Sequence, residues 1–248
     1  MLRLTLLLLL CALPVRSEEV IAGLSQNRVA INTNFDGSEI LVFGAIKREG
    51  PIPDGALHVI VTVAGPSDPV IVRRKSREMG IWVNSDAVEV DRAPSFYAVA
   101  TSGPWEDVIS DTEDLRHKIS IGRAIRSVGA DVTDTGNFTE ALIRIRLRNG
   151  LYQTRPNSVT LADATLFNTQ VALPANLTEG NYTVRFYLTR GREVIDSRET
   201  TIFVRKVGLE RFLFNLAYDR PLAYGVLALA IAIAAGWGAS AAFRYLRS

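Results

Sequence analysis

Cysteine and histidine are nearly missing from this sequence, and each scarcity removes a class of chemistry. The one cysteine is Cys11, inside an N-terminal segment that reads as a removable signal, so the mature chain is expected to hold neither a disulfide nor a thiol nucleophile. Acylation of Cys11 is disfavoured because Leu10, just before it, is not small. Two histidines, His58 and His117, leave little for general acid–base work, and no HisGluxxHis pair, GlyxSerxGly elbow or Gly-rich phosphate loop occurs. A surplus of positive charge is missing too. Of 28 Lys and Arg residues, Arg3, Arg16, Arg244 and Arg247 fall in the signal or beyond the membrane span, which leaves the exported part close to neutral against 26 acids. A nucleic-acid partner, which needs a strong positive field, is therefore not expected.

What the sequence does have is two apolar runs. Leu222 to Phe243 carries no charged side chain, and at about 1.5 Å of helical rise per residue it covers the ~30 Å of a bilayer's hydrocarbon core. It reads as a transmembrane helix, 221–243, followed by a short tail, 244–248. The run from Leu4 to Leu13 is too short to span. With a basic start and the small residues Val15 and Ser17 behind it, it reads as a signal peptide, 1–17, cleaved after Ser17. A cleaved signal exports Glu18 onward and the second run stops transfer. This places the body outside and the tail inside, although basic residues are not concentrated on the inner side.

Between these ends the chain is patterned mainly as strands, with a helical insertion. From Val20 to Ala100 short β-branched, alternating runs are separated by turn signals at 36–38, 51–55 and 65–69. They suggest an immunoglobulin-like antiparallel β-sandwich domain, 18–103. Residues 104–152 change period. Acids come early (Glu106, Asp107, Asp111, Glu113, Asp114) and bases late (Arg116, Lys118, Arg123, Arg126), as a helix dipole prefers. Leu115, Ile119, Ile125 and Val128 form the expected buried stripe. A second helix is read from Asn137 as its cap, although the alternation of Ile143, Ile145 and Leu147 with arginines is also a strand pattern. Strands return over 153–207 as a second, smaller β-unit. There Gly180 and Tyr182 mark the start of a tyrosine corner, and ThrArgGlyArg at 189–192 marks a hairpin. Residues 208–220 place Leu209, Phe212, Leu213, Leu216 and Ala217 on one helical face, either an interfacial segment or an extension of the spanning helix.

Few side chains stand out as functional. His58 sits on a strand face with Ile60 and Thr62 and reads as a structural, half-buried residue, while His117 reads as solvated. The acids at 111–114 are explained by helix capping better than by calcium. The strongest polar candidates are Arg73, Arg74, Lys75 and Arg77, with Trp82 and Asn84 close behind. Positive charges so crowded repel one another unless something negative sits nearby, either an anion, acidic lipid or an acidic partner surface. A solvated strand edge blunted by charge is the plain alternative. Within the span, Ala228, Ala232, Gly236 and Ser240 repeat every four residues, as do Ala230, Ala234, Gly238 and Ala242. Such rows let a second helix approach closely. Trp237, Phe243 and Tyr245 read as an inner interfacial belt.

Several phrases together resemble the putative transmembrane protein family of alphaproteobacteria over nearly the whole mature chain. They are ArgArgLys at 73–75, GlyIleTrpValAsn at 80–84, SerPheTyrAlaVal at 95–99, LeuProAla and GluGlyAsnTyrThrVal within 173–184, GlyLeuGlu at 208–210, and GlyTrpGlyAlaSer and PheArg within 236–244. The resemblance implies a Gram-negative source, a periplasmic body on the inner membrane, and a setting near permeases of the sulfite-exporter type. It supplies no catalytic residues. In such a host the sequons at Asn137, Asn176 and Asn181 are expected to stay unmodified. The expectation is a non-enzymatic accessory protein without cofactor or metal, whose partners are the lipid bilayer and an integral membrane protein such as a permease. The alternative is a module that binds a small anion, for example a sulfur oxyanion, and feeds a transporter.

Overall fold

The computed structural model describes residues 18–32, 35–127 and 135–246. The signal segment with Cys11, and Val128 of the expected stripe, lie outside them, as do the side chains of Leu209, of the belt positions Phe243 and Tyr245 and of the tail. The chain is mainly β. Its strands are β1 (Glu18–Leu24), β2 (Arg28–Ile31), β3 (Gly37–Arg48), β4 (Leu57–Ala64), β5 (Ser67–Glu78), β6 (Ile81–Pro94), β7 (Tyr97–Thr101), β8 (Tyr152–Arg155), β9 (Thr160–Ala162), β10 (Leu166–Pro174), β11 (Gly180–Arg190) and β12 (Glu193–Lys206). Between β7 and β8 run four helices, α1 (Trp105–Val108), α2 (Asp111–His117), α3 (Ile121–Ala124) and α4 (Thr135–Arg148); α5 (Leu209–Asp219) and α6 (Pro221–Leu246) follow β12.

Three sheets result, ordered β1-β3-β10-β9, β2-β12-β11-β4-β7-β8 and β5-β6. Period-2 alternation sets their inner faces. Val20, Ile40, Val42, Phe167, Val171 and Leu173 of the four-stranded sheet are buried, as are Val59, Val61, Val184, Phe186 and Leu188 of the six-stranded one. The two layers meet where the rings of Phe167 and Phe186 lie 6.0 Å apart. Gly44 is required here, because a Cβ on it would collide with the Phe167 ring and the Ile21 carbonyl. The opposite face of the six-stranded sheet is covered as well. Ile60, Tyr97 and Val99 form one cluster with Val108, Ile109, Ile119, Ile125 and Leu142 from the helical segment. Burial on both sides explains why β4 is apolar almost throughout.

The structure corrects several expectations from the sequence. Strands of the two expected β-units, 18–103 and 153–207, are not separate. β10 pairs with β3 over Leu166↔Ala45 to Pro174↔Gly37, and β11 pairs with β4 over Thr183↔Ala64 to Arg190↔Leu57. The sheets are not wholly antiparallel either, since β7 and β8 run parallel. A parallel pair needs a crossover of a dozen or more residues, and the helical segment is that crossover. The expected helix after Trp105 is three short ones. Lys118, at φ 55°, ends α2 in the left-handed region, and Ser110 and Ser120 are N-caps of α2 and α3. Leu115 consequently points to solvent, while Ile119 and Ile125 are buried from positions between helices. Helix α4 starts at Thr135, so Asn137 lies in its first turn rather than at its cap. The tyrosine corner is present: the buried Tyr182 donates its hydroxyl to the Thr178 carbonyl at 2.8 Å. The hairpin turn is Gly191–Arg192, both at positive φ.

Of the described residues, 18–29, 36–127 and 135–204 form one compact unit that contains most of these strands, and 30–32, 35 and 205–246 belong to a second. In the second unit α5 and α6 are distinct helices separated at Arg220, whose φ of −140° and ψ of 68° break the helical path. On α5 Leu213, Leu216 and Ala217 are half-buried, but Phe212 is exposed, as are Phe214 and Tyr218 off the expected stripe. Pro221–Ser240 of α6 has a mean hydropathy of 1.9 and none of its most apolar window is buried. Its length and composition suit a bilayer, and this helix anchors the chain in a membrane.

One ion-paired carboxylate ties the chain's first strand into the body. The Glu18 side chain is 3% exposed, takes Arg48 Nε at 2.6 Å and pairs with Arg190 at 2.8 Å. Burial alone would raise its pKa, but hydrogen bonds from Arg190 and Arg48 more than reverse this and hold the carboxyl below the usual range. A depressed folded-state pKa contributes stability that is complete at neutral pH and is lost as pH falls below the ordinary glutamate value of about 4.3. Glu18→Gln leaves two buried guanidinium groups without their partner and is expected to cost about 3 kcal/mol. Chemical denaturation of the full chain in mild detergent will measure this, and the variant should also lose part of the acid dependence of stability.

Candidate functional site

The basic cluster chosen from the sequence lies on the β5–β6 hairpin, the only two-stranded sheet among the described residues. Its two-residue turn, Met79 at φ 48° and Gly80 at φ 88°, is the left-handed type that matches strand twist. Near its base, Val88 and Val90 are buried and Val70 and Val72 half-buried. Toward its end, Met79, Ile81 and Trp82 are exposed; Trp82 is 68% accessible.

A register shift decides which candidates share a face. Arg73 opposes Ala87 and Arg74 opposes Asp86, but Lys75 opposes Asn84, so Ser85 is an extra residue in β6. Beyond this bulge the alternation of β6 is inverted. Arg73, Lys75 and Arg77 therefore line one face together with Asn84 and Trp82, while Arg74 lies on the other. Arg74 stacks on the Phe138 ring of α4 at 4.6 Å and pairs with Asp86 at 3.9 Å. The structure thus brings five of the six candidates together and gives the sixth a packing role. Lys75, Arg77, Trp82 and Asn84 are exposed, and Arg73 also borders, with Arg74, a hollow of about 620 Å³ against α4.

The other sequence candidates are spread out. His58 is half-buried and 3.3 Å from Ser102 Oγ. His117 is not solvated as expected: its side chain is 28% exposed, 3.5 Å from Glu113, and edge-on to Tyr187 at 5.7 Å. Of the acids at 111–114, Glu113 and Asp114 are occupied by the fold. Glu113 pairs with Arg116 and accepts from the Val194 amide at 3.2 Å, and Asp114 accepts from the amides of Ile119 and Ser120 and from the Ser120 hydroxyl. Ala228, Ala232, Gly236 and Ser240 are exposed on α6, and a Cβ on Gly236 would meet nothing within 4 Å.

A concave site exists that the sequence did not single out. A cleft of about 560 Å³ opens between the ends of β4, β6 and β11 and the segment from His117 to Ser127. Arg92, Lys118, Arg123, Arg126 and Arg185 contribute its charge, and no Asp or Glu is among the described residues that line it. Arg92 and Arg126 form an isolated antiparallel bridge, each amide donating to the other's carbonyl at 3.1 and 2.9 Å. Tyr97 closes the floor, its hydroxyl bonded to the Ile119 carbonyl at 2.8 Å and its pKa pushed up by burial. In the sequence, Lys118, Arg123 and Arg126 read as bases completing a helix dipole. No local signal links them to Arg92 or Arg185, because the β-bridge and the strand order that join them are long-range.

The model of the family described as "Putative transmembrane protein" matches residues 19–245. A comparison with curated proteins finds no match. Among solved structures, the crystal structure of Spo0M, a sporulation control protein from Bacillus subtilis, is similar at 9% identity and a TM-score of 0.30. That likeness covers 82% of this chain and 55% of the other, so the chain spans about half its length.

The division of the hairpin into two faces predicts different costs of substitution. Arg73→Ala, Lys75→Ala and Arg77→Ala, on exposed side chains, should each change stability by less than about 0.5 kcal/mol. Arg74→Ala, which loses a half-exposed stacking contact and an ion pair, should cost about 1 kcal/mol. Denaturant melts of the four variants give the comparison directly.

Proposed function

We propose, for a chain that belongs to the Putative transmembrane protein family, a non-enzymatic accessory role: a β-rich body held on a bilayer by α6 presents the β5–β6 hairpin to an integral membrane partner such as a permease. The body lies in the periplasm of a Gram-negative cell, α6 crosses the inner membrane once and the tail is cytoplasmic. The observation that carries this reading is the hairpin face formed by Arg73, Lys75, Arg77, Asn84 and Trp82. An exposed tryptophan among exposed cations suits an extended partner with acidic groups, since Trp and Arg are the residue types that anchor interfaces. The exposure of Lys75, Arg77, Trp82 and Asn84 speaks against a small anion held by these residues, because water competes for them. Within the bilayer, the row Ala228, Ala232, Gly236 and Ser240 offers a path for a second helix to approach closely.

Purification of the full chain from its native membranes in mild detergent tests the reading. A membrane protein should co-purify, and the combined substitution R73A/K75A/R77A/W82A should reduce its recovery at least about tenfold, as expected for loss of interfacial hot-spot residues. Recovery of an isolated monomer alone overturns the proposal. The orientation is tested separately through Met79→Cys, a fully exposed turn position. A membrane-impermeant maleimide should label it in cells with a permeabilised outer membrane, and protection until the inner membrane is lysed overturns the periplasmic placement.

A further inference from the structure

The cleft beside Tyr97 is a second gathering of cations. It is concave, its volume of about 560 Å³ lies in the range of small-molecule sites, and its charge has one sign. Two of its cations are held together by the backbone itself. In an antiparallel bridge of mutual amide-to-carbonyl bonds the side chains of the paired residues lie next to each other, and like charges placed so repel. Arg92 and Arg126 are such a pair, both exposed and both lining the cleft. Lys118 and Arg123 add charge from the ends of α2 and α3, and no carboxylate is among the described residues that line the cleft with them. Lys118 is set in place by its left-handed backbone at the end of α2.

Several cations of the wider surface are ion-paired. Arg48 and Arg190 meet Glu18, Arg116 meets Glu113, and Arg74 meets Asp86. Arg185 at the cleft's edge pairs with Glu199, which lies directly opposite it on β12 at 2.8 Å. Around the hollow, by contrast, four cations gather with no Asp or Glu among the described residues of the lining. Ser127, which lines the cleft, has its Oγ buried without a partner among the described residues. Such an atom is normally satisfied by protein, water or ligand.

We infer that this cleft is a binding site for a multiply charged organic oxyanion, held by the guanidinium groups of Arg92, Arg123 and Arg126 and the ammonium of Lys118. Guanidinium forks match the paired oxygens of phosphate and carboxylate groups, and a ligand with at least two negative charges relieves the repulsion at the Arg92–Arg126 bridge. The volume exceeds what one tetrahedral ion fills, and Ala64, Pro94 and Ile125 supply apolar wall for the body of a larger molecule. Arg185 stays with Glu199 and limits the site on the β12 side.

Calorimetry on the full chain in mild detergent, with inorganic pyrophosphate and citrate as separate probes, tests this. Saturable binding of either probe with a dissociation constant below about 1 mM is expected, and the tighter of the two identifies phosphate or carboxylate as the recognised group. Affinity should weaken at least about tenfold in Arg126→Glu and in Arg123→Ala, two exposed positions whose loss leaves the core intact, and should fall as salt is raised. It should be unchanged in Arg73→Ala/Lys75→Ala, which alters the hairpin alone and so separates this site from the partner surface. Absence of saturable binding to both probes overturns the inference. So does binding that survives Arg126→Glu in a variant that melts like the parent, or binding lost equally through the hairpin substitutions.

Discussion

The interior of this protein rests on the insertion of its late strands among its early ones. β10 lies beside β3 and β11 beside β4, so the strand run after the helical segment completes both larger sheets rather than forming a sheet of its own. Each layer then has a buried face, and Phe167 meets Phe186 across the core. Burial of these apolar side chains is the dominant favourable term, and it exists only once residues more than a hundred positions apart have paired. The Glu18 ion pairs depend on the same pairing, since Arg190 ends β11 and Arg48 ends β3.

Polar groups inside the body are used to join layers. Tyr152 donates to the Pro94 carbonyl at 2.9 Å, and burial pushes its pKa up to about 12. Arg146 of α4 reaches the carbonyls of Pro94 and Ser95 and lies 5.5 Å from the Tyr152 ring. These bonds hold α4 and the base of β6 together. The hairpin that projects from that base is consequently supported on one side, where Arg74 stacks on Phe138, and open on the other.

Positive charge is distributed with the same division. One group of cations faces outward on a two-stranded ribbon beside an exposed tryptophan, and another surrounds a hollow at the junction of sheet and helices. Exposed ribbons and hollows suit different ligands, a macromolecular face in the first case and a small molecule in the second. The membrane helix sets the setting in which both act.

Features that depend on a few neighbouring residues were legible in the sequence. The apolar run that becomes α6, the corner at Tyr182, the turn at Gly191–Arg192 and the mainly β character follow from local hydrophobic period and turn chemistry. The basic cluster at 73–77 was legible as a cluster, but not its division: the bulge at Ser85 sends Arg74 to the opposite face from Arg73, Lys75 and Arg77. The cleft was not legible at all. Arg92, Lys118, Arg126 and Arg185 come from β6, the helical segment and β11, and only the parallel crossover from β7 to β8 and the insertion of β11 beside β4 bring them to one place. Local pattern determines what kind of element a segment forms, because propensity and period act over a few residues. Which elements become neighbours is decided by burial shared across the whole chain, and that is expressed only in the folded structure.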